Sequence, residues 1–120
     1  MKYMLLIYGN EENWSSLPPE EWERLVAETD AHNQALFDSG ELVGAWGVGE
    51  PVNAKMVRVR DGETVVTDGP YIEAKEYLGS FTIVDCDSLE RALEIAAGNP
   101  SSRYGGIEVR PLLHEANVDV

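Results

Sequence analysis

The segment Tyr3-Met-Leu-Leu-Ile-Tyr8 is apolar at every position, and a strand places successive side chains on opposite faces. Tyr3, Leu5 and Ile7 therefore point one way, Met4, Leu6 and Tyr8 the other, and both sets need burial. Two later segments carry the apolar periodicity of helices, and two helices cover only one face of a sheet. An apolar face left bare on a monomer is uncommon. The strand therefore predicts a homodimer packed through the sheet face, with a cleft between sheet and helices or at the dimer seam.

The remaining elements follow in order. Glu11 to Leu17 reads as a surface loop. Pro19 suits a first helical position, and Glu20 and Glu21 suit the positive end of the helix dipole. Trp22, Leu25, Val26, Thr29, Asn33, Leu36 and Phe37 then recur at three- and four-residue spacing, and Gly40 ends the helix. Leu42 to Val48 reads as a second strand. Lys55 to Arg60 and Glu63 to Thr67 flank Asp61-Gly62, a strong hairpin signal. A strand follows from about Tyr77 to Asp85. Asp87 and Glu90 resemble a capping box for a helix carrying Leu89, Ala92, Leu93 and Ala96, and Gly106 to Leu112 makes a last strand. Without the hairpin, this order is the split βαβ of ferredoxin-like domains. The expected fold is α+β, a ferredoxin-like βαββαβ with an inserted β-hairpin, in one domain spanning residues 1–120.

Composition narrows the function classes. A formal net charge of −13, with nine basic residues against 22 acidic ones, argues against nucleic acid or an anionic membrane as partner, because phosphate neutralisation needs clustered Lys and Arg. Cys86 is the one cysteine, so neither an internal disulfide nor a Cys-based zinc site is expected. It reads as a small buried residue at a strand end. The sequence has no phosphate-binding glycine loop, nucleophile elbow or metal-spaced His/Cys/Asp cluster, so no cofactor or metal is expected. The apolar opening is too short for a signal-peptide core, and the expected location is cytoplasmic.

Ionisable residues crowd the stretch Asp68-Gly-Pro-Tyr-Ile-Glu-Ala-Lys-Glu76. Asp68 has two readings: a turn residue whose carboxylate bonds nearby backbone N–H groups, or a general base presented at a strand entrance. Glu73 and Lys75 share one face of an extended segment, as a solvated pair or as lining of a pocket, with Tyr71 beside them. His32 sits at the edge of the apolar helical stripe, where it either packs or transfers protons. Thr29 and Asn33 occupy the centre of that stripe. Polar groups there require partners and suggest that the helix looks into a polar cavity. Arg110 and Glu108 alternate with Ile107 and Val109, so they face away from the helices, as an ion pair or with Arg110 as an anion-binding guanidinium.

Several motifs in order resemble the DGPF branch of the YCII-related family: Met1-Lys-Tyr-Met-Leu-Leu-Ile-Tyr8, Val57-Arg-Val-Arg60, Thr67-Asp-Gly-Pro-Tyr71, Glu73-Ala-Lys-Glu76, Leu78-Gly79 and Ile107-Glu-Val-Arg-Pro111. Tyr71 stands where Phe is usual, and Ser80 where a second Gly is common. The resemblance implies a ferredoxin-like domain dimerised as an α+β barrel. It also implies a proposed dyad of a helix histidine and an aspartate. Asp68 would be the DGPF aspartate, and His32 falls about one turn beyond the usual histidine position, near Thr29. Relatives in that barrel superfamily include small-ring isomerases and dehalogenase-like lyases. Two functions follow as expectations. One is an isomerase- or lyase-type enzyme with Asp68 as base, His32 or Lys75 assisting, and Arg110 orienting a substrate carboxylate. The other is a non-catalytic ligand-binding or regulatory dimer, linked by the resemblance to an alternative sigma factor.

Overall fold

A computed structural model describes residues 1–69 and 76–116. The four strands β1 (Lys2–Gly9), β2 (Leu42–Gly47), β5 (Tyr77–Asp85) and β6 (Ile107–Pro111) form one antiparallel sheet in the order β2-β5-β1-β6. This is the strand order of a ferredoxin-like α+β fold, as the sequence predicts. Helices α2 (Pro19–Asp38) and α3 (Leu89–Gly98) cover one face. Strands β3 (Lys55–Arg60) and β4 (Glu63–Asp68) form a separate two-stranded hairpin. Asp61 and Gly62 both take positive φ, 51° and 79°, at its turn, the backbone geometry that Asp-Gly favours in a two-residue loop.

Burial along β1 alternates strictly, with Tyr3, Leu5, Ile7 and Gly9 buried and the residues between them half-buried. The buried set meets Leu36 of α2, Val84 and Cys86, and Ala92, Ile95 and Ala96 of α3 in one core. Leu5 and Val84 are fully enclosed, each worth about 1.5–3 kcal/mol in apolar burial. Register fixes the opposite face: Met4 pairs with Ile83 and Arg110, and Leu6 pairs with Phe81 and Glu108. Trp46 of β2 stacks on Phe81 with centroids 5.2 Å apart and stays half-exposed. Among the described residues no helix covers this side.

Several local expectations need correction. Glu11–Ser15 is a short helix, α1, in place of a loop; Asn10 caps it by accepting from the Asn13 backbone N–H at 2.6 Å. The cap of α3 is Ser88, whose hydroxyl accepts from the Arg91 N–H, one residue beyond the expected Asp87. Helix α3 buries Ala92, Ile95 and Ala96, while Leu89 and Leu93 stay half-exposed. Those three lie at i, i+3 and i+4 on one stripe, which turns the two leucines to its edges. Phe37 of α2, one position past buried Leu36, is 68% exposed.

The hairpin projects. Among the described residues no other element packs extensively on it, and Val57, Val59 and Val66 on one of its faces are exposed. The radius of gyration, 16.7 Å, exceeds the roughly 14 Å of a compact chain this long.

Candidate functional site: a cleft between helix α2 and the sheet

Helices α1 and α2, strand β5 and a 3-10 turn supply most of the cleft, with Ile7 of β1 and Ala45, Trp46 and Gly47 of β2 completing its lining. Helix α1 places Trp14, and the Asn13 amide fixes α1 by donating to the Tyr104 carbonyl at 2.6 Å. The Trp14 indole lies against two glycines: a Cβ at Gly9 or Gly79 would approach it to 2.4 or 2.1 Å. Tyr77 meets its edge, with centroids 5.7 Å apart at 83°. Helix α2 supplies Trp22, Leu25, Val26, Thr29, Asp30 and Asn33. Strand β5 supplies Ser80 and Thr82, and the 3-10 turn Pro100–Arg103 with its cap Asn99 supplies Asn99 and Ser101.

These residues enclose two adjoining hollows of about 270 and 220 Å³, which share Ile7, Thr29, Ser80 and Ser101. The first is walled by Trp14, Trp22, Leu25 and Val26, with Asp30 as the one ionisable side chain among the described residues of its lining. The second is mixed, with Asn33, Thr82 and Asn99 beside Ala45, Trp46 and Phe81. Thr82 and Asn99 are almost wholly buried. Asn99 Oδ1 accepts from the Ser101 backbone N–H at 2.9 Å. Asn33 Oδ1 is buried and has no hydrogen-bond partner among the described residues. An apolar wall joined to a few convergent polar groups is the usual construction of a small-molecule pocket.

Three residues singled out from the sequence, Asp68, His32 and Arg110, lie elsewhere. Asp68 ends β4, opposite Lys55, and forms an ion pair with it; its side chain is 86% exposed. His32 projects from α2 toward α3, where a Cβ at Gly98 would lie 3.5 Å from its Cε1. Burial first, and the Arg91 guanidinium second, hold the imidazole pKa below its usual value. Arg110 lies on the uncovered sheet face opposite Met4, largely exposed, with Glu108 Oε1 4.0 Å away. None of the three lines the cleft. Tyr71, Glu73 and Lys75 lie outside the described residues.

Two further ionisable groups belong to the scaffold. Arg91 makes a two-pronged contact with Glu41, Nε to Oε2 at 2.9 Å and Nη2 to Oε1 at 2.8 Å, which lowers the Glu41 pKa to about 2. Burial pushes the Cys86 thiol up, away from the thiolate that reactive cysteines need. Among the described residues no three His, Cys, Asp or Glu side chains gather as metal ligands, and no helix is long and apolar enough to cross a membrane.

Thr29 and Asn33 are the part of this site that the sequence reading located, as polar residues in a buried stripe. Ser80 and Thr82 carried the same signal, because they break the apolar alternation of β5 on its helix-facing side. Trp14, Asn99 and Ser101 carried none.

The chain matches the family described as the YCII-related domain over residues 1–115. It is also similar to an uncharacterized protein of Rhizobium meliloti (strain 1021), 37% identical over 116 residues, with 93% of this chain and 92% of that protein covered.

Proposed function

The chain belongs to the YCII-related family, and from that premise we propose that it is a small-molecule-binding homodimer whose ligand site is the cleft between α2 and the sheet. One observation carries the reading: the cleft joins an apolar wall of two indoles to a polar end where the buried Asn33 Oδ1 has no partner among the described residues. Leaving such a group unpaired costs about 1–3 kcal/mol, which a ligand donor recovers. Dimerisation is supported by the uncovered sheet face, where Met4, Leu6, Phe81 and Ile83 share one side with half-exposed Trp46.

Binding is favoured over proton transfer because the described lining offers no His, Lys or Cys, and Asp68 stands in solvent paired with Lys55. The isomerase or lyase reading keeps one supporting observation. Asp68 rides on a projecting hairpin, and on this reading it acts in a dimer at the partner's cleft rather than its own.

A fragment screen by protein NMR tests the proposal. Hits should shift the indole N–H signals of Trp14 and Trp22 and vanish in Ser80→Phe, where a ring fills the cleft. Hits that persist in that variant, or that cluster on the hairpin, overturn it. Asp68→Asn should leave hit affinities within about twofold, the spread of a remote surface substitution.

A further inference from the structure

Resting on the cleft as the ligand site, we propose that its ligand is an organic ammonium, a protonated amine carried on an aromatic or compact apolar body. The cleft's unmet needs are those of acceptors. Asn33 Oδ1 is buried without a partner among the described residues. Asp30 stands three positions earlier on α2 and lines the adjoining hollow, and side chains at that spacing are neighbours on a helix surface. Two acceptors thus sit side by side, and among the described residues the lining of both hollows contains no Lys, Arg or His to serve them.

A bound ligand can supply the donors. An ammonium carries three N–H groups and no acceptor, so one nitrogen can serve both Asn33 and Asp30. A carboxylate or phosphate would face Asp30, and the described lining offers no cation to offset the repulsion between like charges. The other end of the cleft suits the rest of the molecule. Trp14 and Trp22 offer indole faces for an apolar body, and an indole face attracts a nearby cation through its quadrupole. The formal net charge of −13 further raises the local concentration of cations and lowers that of anions.

Three compounds of one shape separate the classes: benzylammonium, benzyl alcohol and benzoate, titrated at pH 7 while the Trp14 and Trp22 indole N–H signals are followed. Benzylammonium should bind about three- to tenfold more tightly than benzyl alcohol, the range of an exposed charge contact joined to a cation–π contact, and benzoate should bind weakest. Asp30→Asn, at an exposed position, should erase most of the ammonium's advantage over benzyl alcohol. Asn33→Leu should weaken the ammonium, and added salt should narrow the gap between the three. Benzoate binding as tightly as benzylammonium at the same two indoles would overturn the ammonium assignment while leaving the cleft as a binding site. Silence of both indoles toward all three compounds would overturn the assignment too, and the fragment screen would then decide the cleft itself.

Discussion

Gly79 is the seat of the Trp14 indole: a Cβ at Gly79 would lie 2.1 Å from Trp14 Cη2, closer than any side chain permits. The wall of the cleft thus depends on a strand position that carries no side chain. The Leu78-Gly79 pair, which the sequence offered only as part of a family pattern, thereby acquires a physical role.

Gly79→Ala should push Trp14 off β5 and cost about 1–3 kcal/mol, the usual range for overpacking. The readouts are a displaced Trp14 indole signal and a lower Tm. Gly47→Ala is the control, since nothing lies within 4 Å of a Cβ there. An unmoved indole in Gly79→Ala would refute the contact.

The Glu41–Arg91 pair gives a pH signature. The folded pKa of Glu41, about 2, lies below the roughly 4.3 of a free glutamate. The unfolded chain therefore takes up this proton first as pH falls. The pair's stabilisation is complete above about pH 4.5 and fades as pH drops toward 2. Thermal melts of the wild type and Glu41→Gln should differ at pH 6 and converge by pH 2. A constant gap would contradict the ion pair.

His32 has the complementary behaviour. Burial and Arg91 disfavour its imidazolium in the folded state, so protonation favours unfolding as pH falls below about 6.5. An NMR titration should place its midpoint below that of a free histidine. His32→Gln should flatten the stability profile over the same range. A midpoint above 6.5 would mean that a carboxylate, not Arg91, governs the ring.

Neighbouring residues of β1 should respond in opposite ways. Leu6→Glu, on the uncovered face, should convert a dimer to a monomer in light scattering with little loss of secondary structure. Leu5→Ala, in the core, should cost about 2–5 kcal/mol without altering the stoichiometry of the folded protein. A wild-type chain that stays monomeric at micromolar concentration would remove the sheet face as an interface.

The legible parts of the fold were those set by local chemistry. The doubly apolar β1 and the Asp61-Gly62 turn each follow from spacing and backbone preference, and each appears where expected; helix α2 forms as expected, but of its apolar stripe Leu25 and Leu36 are buried while Trp22, Val26 and Phe37 are exposed. Phe37 and Leu93 were misplaced because a one-residue rotation about the helix axis, about 100°, separates core from solvent. Helix α1 was illegible because five residues hold no periodicity; its shape comes from the Asn10 cap and the Asn13 contact with Tyr104, ninety-one positions away. The cleft was half legible. Thr29 and Asn33 disclosed it from one side, while Trp14, Asn99 and Ser101 enter only through tertiary packing. The charged run around Asp68 drew attention by its composition, yet charge density alone does not say which surface a residue faces.

The most direct test is a crystal structure of the protein soaked with a mixture of small aromatic amines. The expected result is two copies packed sheet to sheet, with a ligand in each cleft between the indoles of Trp14 and Trp22 and its nitrogen within hydrogen-bond distance of Asn33. A cleft closed by its own side chains, with ligand instead at the Asp68 end of the hairpin, would contradict the account.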